Sequence, residues 1–299
     1  MRIIQLNKGK TLELPECWDE LTRPQIIYAF ELLLRLFANE ITPFQFRLLL
    51  LIKITGYKPS KLSISDKIFR RIWLSKDKYN ELMALKSEIK ENIHFNLIQL
   101  AELLDFAFSV EENKIIPKFS FKSNPFEYLS DTPPYFNIGY TVETNLTARQ
   151  FADGLDLVVA MDQTDDADAH RAWTDRLIQV LYSDNIQVNK LSTAIKFGIL
   201  CWFKSVAMFF KNHAIYSVLY RKSETEESED KISLGLMEVI LFLKKTGYSD
   251  TDSMNLIDFF NAQIKQLKDT IAQALASGIK EDELSQKIGL DPYVIYKLS

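Results

Sequence analysis

The chain has 299 residues, 47% of them hydrophobic, and a formal net charge of −4 at pH 7. This length and apolar content are sufficient for a large buried core and for two domains. The negative net charge argues against a general electrostatic attraction to nucleic acid or to an anionic membrane.

Glycine and proline are sparse, with nine residues of each. Sandwiches, barrels and doubly wound nucleotide-binding folds need many tight turns, so this composition favours long helices. The two cysteines, Cys17 and Cys201, lie among apolar neighbours without a metal-binding spacing. We expect both thiols to be reduced and to pack as small hydrophobic groups.

The sequence also gives expectations about location. Residues 1–14 do not show the basic segment followed by an apolar run that is typical of a secretory signal peptide. Lys196 and Lys204 interrupt the most apolar stretch, residues 194–210, which therefore falls short of the roughly 18 uncharged residues of a transmembrane helix. We expect a cytoplasmic protein that does not span a membrane.

In the N-terminal part, residues 2–14 are predicted to form a β-hairpin, followed by helices at 22–39 and 42–56. Both helices are apolar around most of their circumference ("IIYAFELLLRLF" and "FQFRLLLLIKI"). Such helices are normally buried or are covered by a partner. Gly56 is the expected end of the second helix.

The middle of the chain contains a helical pattern, then a hairpin pattern, then a segment with several prolines. Residues 60–105 carry polar-rich helical patterns, and residues 105–121 predict a second hairpin, in which Pro117 restricts the returning strand to an edge. Residues 122–136 contain three of the nine prolines and are predicted to form a linker between two domains.

The C-terminal part begins with a short extended piece, "NIGYTVETN". The acidic run at 223–230, "SETEESED", is predicted to be a solvated loop. The predicted helices lie at 147–163, 167–182, 190–222, 231–246 and 251–277, with two short helices after Gly278. The expected fold is therefore mainly α, a multi-helical two-part protein with small β-hairpins. Its domains are residues 1–121 and 137–299.

Three similar hexapeptides occur at the predicted helix starts: "LTRPQI", "ITPFQF" and "LTARQF". Each has Thr followed three residues later by Gln, at Thr22, Thr42 and Thr147. A Thr hydroxyl at an N-cap can accept from the third helical amide, while Gln returns a hydrogen bond to the cap amide. We interpret the three motifs as helix starts and not as catalytic residues.

The sequence contains no glycine-rich nucleotide-binding motif, no nucleophile-elbow motif of the hydrolases and no zinc-peptidase motif. The densest polar cluster is "MDQTDDADAH", which contains Asp162, Asp165, Asp166, Asp168 and His170. It could ligate a hard cation or line an acidic active site, but it lacks the glycine and terminal Glu of an EF-hand. The favoured interpretation is a loop in which Asp165 or Asp166 caps the next helix. We therefore predict no enzyme activity, no cofactor, no metal and no small-molecule substrate.

Two further patterns allow a functional and a structural interpretation. On the helix at 190–222, a basic stripe would be formed by Lys196, Lys204, Lys211 and Lys222. It could contact an acidic partner or a membrane. The favoured interpretation is that it is the solvent-exposed edge of a central helix. "EDELSQKIGLDPYVIYKL" resembles a helix-turn-helix. Its second helix begins with Asp291 and offers little beyond Lys297 as a donor to DNA, so packing of two helices is favoured.

One family resemblance is carried by "GKTLELPECWDELTRPQ" and by "NLTARQFADGLDLVVAMDQ…LIQVLYSDN". These stretches resemble tail assembly chaperone-like proteins of Bacteroidetes-type tailed phages and prophages, over about half of the chain. The resemblance implies a non-enzymatic cytoplasmic factor that shields a helical tape-measure protein before the tail tube forms. It implies no catalytic residue.

The resulting hypothesis is a phage or prophage tail assembly or structural protein that binds a helical protein partner. The partner would be a tape-measure protein or a second copy of the chain. Apolar surface on the two N-terminal helices, or at their seam with the 190–222 helix, is predicted to receive it. The candidate partner-binding residues are Phe30, Leu34, Phe46 and Leu50. The alternative is a DNA-associated regulator or replication accessory protein that uses the C-terminal helices, although nucleic acid is not the favoured partner.

Overall fold

A computed structural model describes residues 1–5, 11–56, 93–112, 114–183, 186–220, 253–288 and 292–298. Within these ranges the protein is mainly α-helical with three two-stranded antiparallel hairpins, in agreement with the predicted fold class. The chain forms two compact units. The first unit contains Met1–Phe121 and Leu191–Gly198, and the second contains Lys122–Lys190 and Ile199–Ser299.

The helices of the described residues are, in chain order, α1 (Arg23–Phe37), α2 (Pro43–Thr55), α3 (Ile93–Glu102), α4 (Ala148–Asp162), α5 (Ala167–Tyr182), α6 (Thr193–Asn212), α7 (Leu256–Ala276), α8 (Glu281–Ile288) and α9 (Pro292–Leu298). The strands are β1 (Arg2–Gln5), β2 (Thr11–Leu14), β3 (Phe108–Glu111), β4 (Lys114–Pro117), β5 (Phe136–Ile138) and β6 (Val142–Thr144). They pair as β1–β2, β3–β4 and β5–β6.

The first unit is built around Trp18, which is almost fully buried. Its ring stacks on Phe30 of α1 at 5.0 Å and meets the edge of Phe106 at 5.3 Å. Its indole N–H donates to the carbonyl oxygen of Lys118 at 2.8 Å. This hydrogen bond satisfies the polar end of a large buried ring, so the segment after β4 is tied to the start of α1.

Helix α2 is buried around most of its circumference, as its apolar composition predicts. The helix ends at Gly56, which adopts a left-handed conformation with φ 62°, the geometry that glycine adopts without steric cost. Residues 57–92, which include most of the polar-rich helical pattern, lie outside the described residues.

The stretch around "NIGYTVETN" forms a hairpin, so the prediction of a single extended piece was incomplete. Ile138 pairs with Val142 across a three-residue turn, and Phe136 pairs with Thr144. Strand β5 begins inside the segment predicted as a linker, where alternation over three residues is too short to indicate a strand. The predicted linker and the domain boundaries around it stay a prediction.

Residues of the predicted linker contribute to the interior of the second unit. Asn124 is buried, and its amide donates to the carbonyl oxygen of Pro134 at 2.6 Å. The Tyr182 hydroxyl of α5 donates to the carbonyl oxygen of Phe126 at 3.1 Å and accepts from the Asn124 amide at 3.3 Å. These hydrogen bonds fasten the segment before β5 to the end of α5.

The starts of α4 and α7 are joined in the second unit. The Ala148 amide donates to the carbonyl oxygen of Met254, and the Leu256 amide donates to the carbonyl oxygen of Leu146, both at 2.9 Å. Asn255 caps α7 by accepting from the Ile257 amide at 2.9 Å. At each of these two helix starts, a backbone amide that has no partner within its own helix therefore donates to a carbonyl oxygen just before the other helix.

Two predicted helix boundaries are corrected. The helix predicted at 190–222 ends at Asn212, followed by a turn and a short 3-10 helix at Tyr216–Tyr220. No glycine or proline marks this end. Instead, the Ile215 amide donates to Nδ1 of His213 at 3.3 Å. This hydrogen bond to a side chain replaces one within the helix, and apolar periodicity does not reveal it.

The helix predicted from 251 begins after Asn255. The acidic run at 223–230 and the helix predicted at 231–246 lie outside the described residues.

Candidate protein-interaction surface

The residues proposed from the sequence to bind a partner lie mainly in the core of the first unit. Phe30, Phe46 and Leu50 are fully buried, and Leu34 is half-buried. A buried side chain cannot line an exposed groove. The proposed groove is therefore not an open surface of the described first unit, and binding of a partner by these residues stays a prediction.

The chain's own Phe197, at the start of α6, occupies the seam in which a partner helix was expected. Within the first unit its ring meets the edges of Phe30 at 5.8 Å, Phe37 at 6.1 Å and Phe119 at 6.3 Å. Edge-to-face contacts at these distances are favourable. Phe197 was one of many apolar residues on the predicted helix, and no local sequence signal indicates that it covers Phe30.

The acidic cluster at 162–170 has the geometry of a helix cap. Asp166 is the N-cap of α5 and accepts from the Asp168 amide at 2.9 Å. Nε2 of His170 donates to the carbonyl oxygen of Thr164 at 2.7 Å. The capping role predicted for Asp165 or Asp166 is therefore confirmed at Asp166. Across the described ranges, no group of three or more His, Cys, Asp or Glu side chains could hold a metal ion.

Burial makes Cys201 a poor nucleophile, since it raises the pKa of the thiol well above its usual value. A thiol that stays protonated at neutral pH neither attacks a substrate nor ligates a metal readily. Cys201 therefore belongs to the core of the second unit, as its apolar neighbours in the sequence indicate.

The two short C-terminal helices present aromatic rings to solvent. Tyr293 and Tyr296 of α9 are exposed, and the Lys297 ammonium lies 4.7 Å from the centre of the Tyr293 ring. The first turn of α8 carries Glu281, Asp282 and Glu283. Negative charge beside a candidate recognition helix opposes approach to phosphate groups.

The basic stripe predicted from the sequence is divided by the structure. Lys196 belongs to the first unit, Lys204 and Lys211 belong to the second unit, and Lys222 lies outside the described residues. Met208 lies between Lys204 and Lys211 at spacings of four and three residues, which places the three side chains on one face of α6. This face lies wholly within the second unit.

One apolar side chain on this face is exposed. Met208 is 49% exposed, and Ile215, just beyond the end of α6, is 53% exposed. Most other apolar side chains of α6 in this unit are buried. We refer to Lys204, Met208 and Lys211 as the α6 surface. It places one exposed apolar side chain between two lysines on one helix.

An acidic edge adjoins the α6 surface. The Lys204 ammonium is 2.8 Å from a carboxylate oxygen of Asp162, at the end of α4, and both side chains are partly exposed. Asp165 is exposed three residues further along the chain. Lys211 forms no ion pair with the described residues. The α6 surface thus carries one lysine paired with Asp162 and one lysine, Lys211, without an ion pair to the described residues.

Sequence periodicity identified the lysines of this surface but not the exposure of Met208. Met208 occurs in an almost continuous apolar stretch, and a pattern of that kind does not say which side chain faces water. The packing of α6 against the rest of the second unit leaves the Met208 side chain exposed.

Helix α6 satisfies the length and composition criteria for a membrane-spanning helix, within the part of the chain that the structure describes. Its lysines therefore do not by themselves exclude a membrane span, because a stretch of 18 residues with few charges remains. Half of that stretch is buried inside the protein, and buried core helices of soluble proteins meet the same criteria.

Comparisons with protein-family models, with curated proteins and with solved structures found no match to this chain.

Proposed function

We propose that this chain is a non-enzymatic protein of a phage or prophage tail module that binds a helical segment of a tail protein. The observation that carries the proposal is the exposure of Met208 between Lys204 and Lys211 on one face of α6 in the second unit. An exposed apolar side chain bordered by charge on a helix suits contact with a partner helix that lies along it.

The resemblance of "GKTLELPECWDELTRPQ" and "NLTARQFADGLDLVVAMDQ" to tail assembly chaperone-like proteins supplies the biological class. In that class the partner is a long helical tape-measure protein, which would otherwise aggregate before the tube forms. The α6 surface takes the place of the N-terminal groove as the proposed binding site, because Phe30, Phe46 and Leu50 are buried.

The test is co-expression with the tape-measure-type protein encoded nearest to this chain's gene. We expect the partner to become soluble and to elute with this chain in size-exclusion chromatography, with a stoichiometry given by light scattering. Met208→Asp places a charge in the centre of the α6 surface and should abolish the complex. Ile116→Asp, at an aliphatic residue of β4 that is 41% exposed, is the matched control and should preserve it.

Two results would contradict the proposal. One is the lack of any complex between the wild-type chain and its neighbouring tail protein. The other is a complex that Met208→Asp leaves intact, because the partner would then bind elsewhere. Circular dichroism of each variant establishes that a lost complex does not reflect lost folding.

A further inference from the structure

We propose that Arg47 of α2, together with one face of the β3–β4 hairpin, forms a binding site for the carboxylate of an acidic side chain on a protein partner. The site lies within the first unit. It is separate from the α6 surface and does not depend on the proposed function. The inference is carried by three features: a guanidinium group without an acceptor, an aromatic ring that lies against it, and an exposed aliphatic side chain on the hairpin face that carries this ring.

The guanidinium group of Arg47 is a cation without a polar partner. Its Nε atom is buried and has no hydrogen-bond acceptor, and Arg47 forms no ion pair with a carboxylate of the described residues. A buried donor without an acceptor is rare in folded proteins and has a cost in free energy. The side chain as a whole is only partly buried, so an anion from outside the unit can reach the Nη groups.

The ring of Phe108, at the start of β3, holds this guanidinium group at the border of the core. Cζ of Arg47 lies 5.2 Å from the centre of the Phe108 ring, and the ring makes an edge contact with Phe46 at 5.1 Å. A cation that is partly removed from water attracts a carboxylate more strongly than a fully hydrated one, because the effective dielectric constant is lower. The planar fork of an arginine also matches the two oxygens of a carboxylate.

The hairpin face that carries Phe108 becomes exposed toward the turn. In the register of β3 and β4, Phe108 pairs with Pro117 and Val110 pairs with Ile115, and the side chains of these four residues share one face. On this face Phe108 is buried, Ile115 is half-buried and Val110 is 47% exposed. Val110 lies about 7 Å along the strand from Phe108, since a strand rises about 3.4 Å per residue. The face therefore offers a cation at one end and an exposed aliphatic side chain two residues further along.

This combination favours an acidic side chain of a protein over other anions. One guanidinium group supplies a single positive charge, which one carboxylate neutralises, whereas a phosphate group carries up to about two negative charges at neutral pH. Membranes and nucleic acids present many phosphates, which would be repelled by Glu111 and Glu112, exposed at the hairpin turn. In an extended protein segment, an aliphatic residue two positions from an acidic one would contact Val110 while the carboxylate contacts Arg47.

The probe for this site is the acetylated and amidated pentapeptide Val-Ser-Glu-Ser-Val, which has an aliphatic residue two positions from the acidic one on either side. The same peptide with Gln in place of Glu retains the shape without the charge. Each peptide is titrated into the isotopically labelled full chain, and the NMR signals of the Arg47 Nε–H group and of the Val110 amide are followed. We expect the Glu peptide to shift both signals with a Kd of about 1 mM, as befits a site with few contacts. The Gln peptide should bind at least about tenfold more weakly.

Two pairs of variants locate the site. Arg47→Met removes the charge but keeps an unbranched side chain, and it should abolish the shift of the Val110 amide. Lys53→Met is its matched control and should bind like the wild type, because Lys53 is also a cation of α2 whose Nζ lies over an aromatic ring, that of Tyr28, at 5.3 Å. Val110→Asp places a negative charge on the hairpin face and should weaken binding at least about tenfold. Ile116→Asp, on the opposite face of the hairpin, should leave binding unchanged.

The inference is overturned if the Glu peptide still binds to Arg47→Met, or if Val110→Asp has no effect. It is also overturned if the wild-type chain shows no shift up to about 10 mM peptide, about ten times the expected Kd. Sodium acetate and inorganic phosphate are titrated in the same way. Acetate that binds as tightly as the peptide, or phosphate that binds more tightly, would overturn the assignment of a protein partner. If Arg47→Met does not fold, the comparison of the Glu and Gln peptides and the Val110→Asp variant decide the outcome.

Discussion

Gly154 of α4 lies directly against the ring of Phe203 of α6. A Cβ atom at position 154 would be 2.4 Å from Cζ of Phe203 and 3.0 Å from each of its Cε atoms. Phe203 is fully buried, and Phe151 lies beside it at 5.8 Å. The two helices can approach this closely because residue 154 has no side chain.

Gly154→Ala should therefore lower the free energy of unfolding by about 1–3 kcal/mol through overpacking, despite the higher helix propensity of alanine. Urea denaturation of the variant and of the wild type measures the change. In a double-mutant cycle, Phe203→Leu should cost less in the Gly154→Ala protein than in the wild type, because the smaller side chain makes room for the methyl group. Additive effects would show that the two residues do not compete for space.

The three Thr–x–x–Gln helix starts differ in detail, and their contributions should differ as well. The hydroxyls of Thr42 and Thr147 accept from the Gln45 and Gln150 amides at 3.2 and 3.1 Å. At Thr22, the corresponding Gln25 amide donates to the carbonyl oxygen of Thr22 at 2.8 Å. We expect Thr42→Ala and Thr147→Ala to cost about 1 kcal/mol each, and Thr22→Ala to cost less. Thermal unfolding of the three variants ranks them, and the largest loss at Thr22 would contradict the expected order.

The Tyr182 hydroxyl should contribute about 1 kcal/mol to stability, the usual net value of a buried hydrogen bond. Its loss in Tyr182→Phe leaves the carbonyl of Phe126 with the Leu129 amide as donor, at 3.2 Å, so no buried group is left wholly unsatisfied. Tyr135→Phe is the control, since the Tyr135 hydroxyl donates to Glu143 in an exposed position and should contribute little.

The stability difference between wild type and Tyr182→Phe should also depend on pH. Burial raises the pKa of Tyr182 above its usual value, whereas hydrogen bonding from Asn124 acts in the opposite direction. The unfolded chain loses this proton near pH 10, while the folded protein retains it. The contribution of Tyr182 is therefore fully present below pH 10 and is lost as the pH rises above it. Urea denaturation of both proteins at pH 8 to 11 measures this, and a constant difference would be inconsistent with a protonated buried phenol.

Replacement of the buried candidate residues by aspartate should unfold the first unit. Phe30, Phe46 and Leu50 have no access to water, and an isolated carboxylate in such a site carries a large desolvation penalty. Leu34 is half-buried, so Leu34→Asp is the matched control and should retain most of the wild-type stability. Far-UV circular dichroism and thermal melts separate these outcomes. A folded and stable Phe46→Asp protein would restore the idea of an open groove.

The C-terminal helices should not bind duplex DNA tightly. Lys297, the principal cation of α9, lies over the Tyr293 ring, and α8 begins with three acidic residues. Fluorescence anisotropy with random-sequence duplexes should give dissociation constants no tighter than about 10⁻⁶ M at physiological salt, within the range of non-specific binding. Tight, sequence-dependent binding that Lys297→Ala weakens would support the alternative of a DNA-associated protein.

Local sequence determined much of the secondary structure. The Thr–x–x–Gln motifs specify where α1, α2 and α4 begin, because cap hydrogen bonds form within four residues of the chain. Gly56 ends α2 because a glycine adopts φ 62° without strain. The mainly helical fold follows from the same kind of information, since apolar periodicity and a shortage of turn residues act over short distances.

Tertiary structure alone decided which apolar residues face water. The sequence of α1 and α2 offers a partner-binding groove, but Phe197 from a distant part of the chain fills the seam beside Phe30. The sequence of α6 suggests a buried cylinder, yet Met208 is left exposed between two lysines. An apolar side chain has the same propensity and hydrophobicity in either position. Its exposure depends on which other segments pack against it, and those contacts join residues that are remote in the sequence.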